Sequence, residues 1–146
     1  MLRYENSRFH LDNISFQIPE GFLLEDCSGE DSSLTLAPPD HSFTLELRVN
    51  HGCMDAETEL SYLFTDVAGL EQDSPITPVT HNGLPGSEVS CTDGRLMYYE
   101  LRLDFNGRYE QNAFVLVLST ENGLHSAQQH PGVQSLLHSL RLEAPT

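Results

Sequence analysis

The sequence contains no lysine, and this absence excludes several kinds of chemistry. A Schiff-base enzyme, a phosphate loop of the Walker type and a lysine general base all need an ε-amino group. Only 7 basic residues stand against 22 acidic ones, so the formal net charge is −15. An acidic surface repels phosphate backbones and anionic membranes, which makes nucleic acid and membranes poor partners. A basic protein or a divalent cation fits the sign of the charge, and solubility alone is the other explanation.

Long hydrophobic segments are also missing. There is no run of about 18 apolar residues, and no apolar segment follows the N-terminal Met-Leu-Arg-Tyr. We therefore expect a chain that is neither secreted nor membrane-spanning, and hence cytoplasmic. Its three cysteines, Cys27, Cys53 and Cys91, are odd in number and widely spaced. This pattern predicts reduced, unpaired thiols and no disulfide framework.

No catalytic or metal-binding motif is present. The serines lack the context of a nucleophile elbow. His51, Cys53 and Asp55 place three metal-capable side chains together, but their spacing matches no zinc motif. The seven histidines are dispersed along the chain. The sequence therefore favours a protein without catalytic residues, cofactor or metal.

The most strongly patterned segment runs from Glu88 to Ser119 and predicts three antiparallel strands. The turns at 92–95 and 105–108 contain Asp-Gly and Asn-Gly, the best signals for two-residue turns with positive φ. The third strand, 112–118, is apolar on both faces, as in a central strand covered on each side. Between the turns, side chains alternate, with Met97, Tyr99, Leu101, Leu103 and Phe105 on one face and Tyr98, Glu100, Arg102 and Asp104 on the other.

The rest of the chain predicts a meander of about four strands followed by a helix and further strands. Over Asp55–Glu71, apolar residues recur at helical spacing, and Asp55 is suited to be the N-cap. Pro131 is well placed at the first position of a second helix. Antiparallel hairpins with two separate helices indicate one α+β domain over residues 1–146. A helix on each side of a largely antiparallel sheet would make a three-layer α/β/α sandwich.

This order of elements resembles the PsbP-like superfamily, which includes Mog, PsbP and DcrB-like proteins. The likeness rests on three segments, at 14–22, 96–119 and 136–142, and spans nearly the whole chain. It carries over the fold and no functional residue. Members are mostly non-enzymatic binding or accessory proteins, so the likeness implies such a role here. The missing signal peptide favours a cytoplasmic bacterial branch, some of whose members resemble chaperones or adaptors.

Two classes of function follow from these patterns. The first is a non-enzymatic protein-interaction module with an acidic surface. Its candidate interaction surface is the row Tyr98, Glu100 and Arg102, provided that no helix covers that sheet face. The second is a small-molecule or cation-binding protein, or a hydrolase whose site is assembled from distant loops. Convergence of histidines and acids in one pocket would favour the second class.

The first prediction concerns the turn at Asn106-Gly107. Replacing Gly107→Val should destabilise the fold by roughly 1 kcal/mol or more, because a β-branched residue resists positive φ. Thermal unfolding followed by circular dichroism measures the change. An unchanged melting temperature would rule out the hairpin assignment.

Overall fold

The computed structural model describes residues 2–28, 33–106 and 111–143, and its strands form two sheets. Every strand pairing among the described residues is antiparallel. In chain order the elements are β1 (Leu2–Glu5), β2 (Arg8–Leu11), β3 (Ile14–Phe16), β4 (Leu23–Ser28), β5 (Ser33–Ala37), β6 (Thr44–His51), α1 (Ala56–Asp66), β7 (Glu71–Gln72), β8 (Thr77–His81), β9 (Leu84–Thr92), β10 (Met97–Asn106), β11 (Gln111–Thr120), α2 (Leu124–Gln128), α3 (Pro131–His138) and β12 (Arg141–Leu142).

The larger sheet has the order β4-β5-β6-β11-β10-β9, with β7 and β8 both pairing with β9. The predicted three-stranded meander is therefore present as β9, β10 and β11. Strand β11 lies between β6 and β10, as its apolar character on both faces predicted. Its Leu116 pairs with Leu47 on one side and Leu101 on the other, and all three are fully buried. This row lies in the hydrophobic core of the molecule.

The core face of the larger sheet is covered by the smaller sheet and by α2 and α3. The smaller sheet has the order β1-β2-β3-β12, and its Phe16 ring lies 6.0 Å from that of Phe114 on β11. Val133 and Leu136 of α3 belong to the same core. Helix α1 packs against β9 and β10. The α+β class with largely antiparallel sheets is thus confirmed.

Several local predictions need correction. Helix α1 ends at Asp66, before both predicted end points, Gly69 and residues 72–75, because Val67 adopts an extended conformation. The described part of the chain contains three helices and not two. The additional helix is α2, which precedes α3, the helix predicted to start at Pro131. Sequence patterns did not indicate the β1–β2 hairpin, whose two turn residues, Asn6 and Ser7, both have positive φ.

The two predicted hairpin turns differ in outcome. The turn at 105–108 includes Gly107 and Arg108, which lie outside the described residues. The segment 93–96 is a four-residue loop and not a two-residue turn, and only Gly94 in it has positive φ. Asn82-Gly83, between β8 and β9, is a two-residue turn with positive φ at both positions, like Asn6-Ser7 between β1 and β2.

The second prediction tests the close pairing of β9 with β10 at Gly86. A Cβ added there would lie 1.9 Å from the carbonyl oxygen of Arg102, and a backbone atom cannot move aside cheaply. We expect Gly86→Ala to destabilise the protein by about 2 kcal/mol or more in urea unfolding. The control is Thr80→Ala on exposed β8, which should change stability by about 0.5 kcal/mol or less. An unchanged midpoint for Gly86→Ala would contradict the observed pairing.

Candidate functional site

The register of the larger sheet arranges four charged residues in two neighbouring rows on the face opposite the core. Glu46 of β6 and Glu100 of β10 pair with Val117 of β11 from either side. In the next row, Arg48 and Arg102 pair with Val115 in the same way. Each glutamate forms an ion pair with the arginine of its own strand. We call these four charged residues the charged rows.

Glu100 and Arg102 are buried, at 7% and 5% exposure. The Arg102 Nη1 atom lies 3.7 Å from Glu100 Oε2, an ion pair that is too long to be a hydrogen bond. Glu100 Oε2, Arg102 Nε and Asp104 Oδ1 are all buried and make no hydrogen bond. Burial raises the pKa of Glu100, while the positive charges of Arg102 and Arg48 oppose that rise. Such unsatisfied buried atoms cost free energy and can accept or donate to a ligand.

Tyr98 lies on β10 two residues before Glu100, and the loop that precedes the strand fixes its side chain. Its hydroxyl donates a hydrogen bond to Asp93 Oδ2 at 2.9 Å. The other carboxylate oxygen of Asp93 accepts from the N–H groups of Leu96 and Arg95, at 2.7 and 2.9 Å. These two backbone hydrogen bonds, followed by that of Tyr98, lower the pKa of Asp93 to about 2. The half-buried tyrosine ring is therefore held in a defined orientation.

Helix α1 is anchored at its N-terminal end. Asp55 is the N-cap, as predicted, and its carboxylate accepts from the Thr58 N–H at 3.1 Å. The Ala56 N–H donates to Asp104 Oδ2 of β10, also at 3.1 Å. Of the predicted apolar stripe of the helix, Leu60 is fully buried.

The C-terminal half of α1 leaves a cleft above the sheet. Leu63 and Phe64 are only half-buried, and Val67 is 47% exposed. The cleft has a volume of about 270 Å³. We call it the α1 cleft; its walls are Leu63, Val67, Ala68 and Leu70 on the helix side and Cys91, Asp93, Tyr98, Glu100 and Val117 on the sheet side.

The three residues of the predicted interaction surface differ in their exposure. Tyr98 is half-buried and lines the α1 cleft together with Glu100. Arg102 lies deeper, where its Nη2 is 3.9 Å from Cys53 Sγ. Glu100 and Arg102 do not form an open surface, because both are buried. The residues that sequence reasoning did not assign to this surface are Leu63, Val67, Cys91 and Val117, all of which were expected to be core.

The other candidate groups serve local structure. The His51 ring is hydrogen-bonded to Asp12, at 2.8 Å, and to Asn112, at 3.1 Å. Asp55 instead caps helix α1. Cys53 and Cys91 are free thiols, and the side chain of Cys27 lies outside the described residues. Burial raises the pKa of Cys91 to about 11, which makes its thiol unreactive. Within the described ranges, three or more His, Cys, Asp or Glu residues nowhere converge in a metal-binding arrangement.

Comparison with known proteins identifies a solved structure with a similar fold. No protein-family model and no curated protein matches this chain. Among solved structures, it is similar to LpqN, a protein involved in cell envelope biogenesis of Mycobacterium tuberculosis. The TM-score is 0.63 at 9% sequence identity, and the match covers 90% of this chain and 83% of LpqN. At this identity the likeness shows a shared fold alone. None of the described helices is both long and apolar enough to cross a membrane.

The third prediction concerns the Asp93 carboxylate. Folding lowers its pKa from 3.8 to about 2, so the charged form stabilises the protein above pH 3.8. That stabilisation is lost progressively as the pH falls through about 2. We expect Asp93→Ala to lower the melting temperature at neutral pH, and the deficit to shrink when both proteins are melted near pH 3.

The matched control for this experiment is Asp66→Ala, which removes an exposed carboxylate at the end of α1. Its melting temperature should stay close to that of the parent protein at both pH values. A deficit for Asp93→Ala that is equal at both pH values would contradict the assigned hydrogen bonds.

Proposed function

We propose that this chain is a non-enzymatic protein-interaction module, an adaptor, accessory or chaperone-like protein. The observation that carries the proposal is the partly uncovered sheet face beside α1. It combines a half-buried tyrosine, an apolar cleft and paired charges, a mixture typical of protein interfaces. The fixed Tyr98 ring offers contact area at little entropic cost, because its orientation is already set by Asp93.

The net charge of −15 supports a basic protein partner. Opposite charges attract over about a Debye length, which is ~8 Å at physiological ionic strength. Such attraction acts mainly on the association rate. Exposed ion pairs contribute only about 0–1 kcal/mol each, so apolar and aromatic residues such as Tyr98 must supply most of the affinity.

We further propose that the chain belongs to the PsbP-like superfamily. In this proposal it is one cytoplasmic domain over residues 1–146 with a three-layer arrangement. The positions of the helices support this arrangement. Leu63 of α1 shares a cleft with Tyr98, whereas Val133 of α3 shares another with Tyr99. Adjacent residues of a strand face opposite sides of the sheet, which supports the proposal of one helix on each face.

Binding of a small molecule is the second candidate function. A cleft of about 330 Å³ lies between the β8–β9 hairpin and the α2–α3 segment. His81, Glu88 and Tyr99 line it, and the Tyr99 hydroxyl donates to the Glu88 carboxylate. Burial lowers the pKa of His81, although Glu88 opposes this shift. Saturable binding of a small molecule in this cleft, with turnover, would favour the second candidate over the first.

The fourth prediction tests protein binding directly. A photo-crosslinking amino acid is introduced at Tyr98 and, as a matched control, at the exposed Tyr4 on the smaller sheet. Each protein is then irradiated in a lysate of the native organism. We expect a defined protein to be crosslinked from position 98 and not from position 4.

The identified partner then allows the electrostatic part to be measured. We expect its association rate to fall by about tenfold or more from low to high salt, with a smaller change in the dissociation rate. A salt-independent association rate would defeat the electrostatic part. Equal crosslinking from both positions would defeat the proposed interaction face.

A further inference from the structure

We infer that the α1 cleft is a docking pocket for an apolar side chain of a basic partner segment, whose adjoining cationic side chain binds the carboxylate of Glu100. This inference deepens the proposed function and rests on it. It names the residue chemistry that a partner must present and the atom that receives it.

The walls of the α1 cleft suit an apolar side chain. Leu63 and Val67 form the helix side, and Val117 forms part of the floor. The sequence pattern places Leu63 and Val67 on the buried stripe of α1, yet 47% of Val67 is exposed. Covering such apolar surface is favourable, because it removes apolar atoms from water.

Glu100 supplies an independent sign that the cleft receives a ligand. The residue is 7% exposed, lines the cleft, and its Oε2 atom is buried without a hydrogen bond. The nearest guanidinium nitrogen, Arg102 Nη1, is 3.7 Å away. A buried carboxylate oxygen without a donor costs free energy, which an incoming N–H group would recover. The ligand therefore carries a hydrogen-bond donor beside its apolar part.

The charge around the cleft indicates that this donor is cationic. Asp93 lines the cleft as well, Arg48 forms an ion pair with Glu46, and Arg102 stays 3.7 Å from Glu100 Oε2, which makes no hydrogen bond. The pKa of Cys91 is raised first by burial and then by the negative charges of Glu100, Asp73 and Asp93. Two of these carboxylates, those of Asp93 and Glu100, line the cleft itself. With a net charge of −15 on the chain, an acidic segment would be repelled.

Short peptides test the inference without an identified partner. The probe is Gly-Arg-Phe-Arg-Gly with blocked ends, added to the full chain labelled with ¹⁵N. Two matched peptides replace the central Phe with Ala, or both Arg residues with Glu. We expect saturable amide shifts in β10 and in the C-terminal half of α1 for the first peptide. The Ala peptide should bind about tenfold more weakly or worse, because it cannot fill the cleft. The Glu peptide should not bind measurably.

Two variants on adjacent positions of α1 locate the binding. Leu63→Trp fills the cleft and should abolish peptide binding. Tyr62→Trp places the same indole ring on the exposed side of the helix and should leave peptide binding unchanged. Glu100→Gln keeps the size of the side chain and removes its charge. It should weaken the Arg-flanked peptide several-fold but not a Ser-flanked one. Should this variant fail to fold, the peptide series and the tryptophan pair still decide the matter.

The outcomes separate this inference from the proposed function. Equal affinity for the Phe and Ala peptides, or binding that survives Leu63→Trp, would overturn the docking pocket. A partner crosslinked from Tyr98 would then still support protein binding elsewhere on that face. Conversely, selective peptide binding without any crosslinked partner would support the pocket chemistry and count against the proposed function. A partner whose affinity is unchanged by Leu63→Trp would also overturn the pocket.

Discussion

The hydrogen-bonded pairing of β10 with β11 is the constraint on which the rest of the structure depends. The two strands match over ten residues each, from Met97 opposite Thr120 to Asn106 opposite Gln111. In this register Leu101 and Leu116 are directly opposite each other, and both side chains are buried in the core. A slip by one residue would exchange the faces and bury charges where leucines now lie. Each large apolar side chain so buried is worth about 1.5–3 kcal/mol, which makes alternative registers very costly.

The same register creates the charged rows on the opposite face. The two glutamates stand two strands apart, which is about 10 Å, with Val117 between them. Repulsion between like charges at this distance is largely screened where solvent reaches them. Pairing within each strand, between Glu46 and Arg48 and between Glu100 and Arg102, offsets part of the cost of burying charge. A buried ion pair adds little net stability. The charged rows therefore contribute little net stability to the fold.

Helix α1 is fixed to the sheet at its N-terminal end. Its first turn is tied to Asp104 and closed by Asp55, but its last turn has little to pack against. An 11-residue helix is marginal by itself, so its stability depends on the sheet beneath it. Segments with few buried apolar contacts open locally at low free energy. The C-terminal half of α1 should therefore open at a lower free energy than the anchored half.

The sequence by itself determined the elements whose signals are local. Alternation gave the two faces of β10, apolar character on both sides marked β11 as central, and the N-cap Asp55 set the start of α1. Local signals did not reveal the end of α1 at Asp66 or the four-residue loop at 93–96, where Asp93 accepts backbone and tyrosine hydrogen bonds. Tyr98, Glu100 and Arg102 were correctly placed on one face, but their depth of burial was not predictable.

Only the tertiary structure decided which residues meet across the sheet and how deeply they are covered. Strand β12 completes the smaller sheet by pairing Arg141 with Ser15, residues from opposite ends of the chain. Glu46 joins Glu100 in one row only because β11 pairs with both β6 and β10. The α1 cleft lies where the helix ends, between Leu63 and Val67 on one side and Tyr98 and Glu100 on the other. Periodicity reports which face of an element is apolar, whereas the neighbour that covers it depends on contacts between distant parts of the chain.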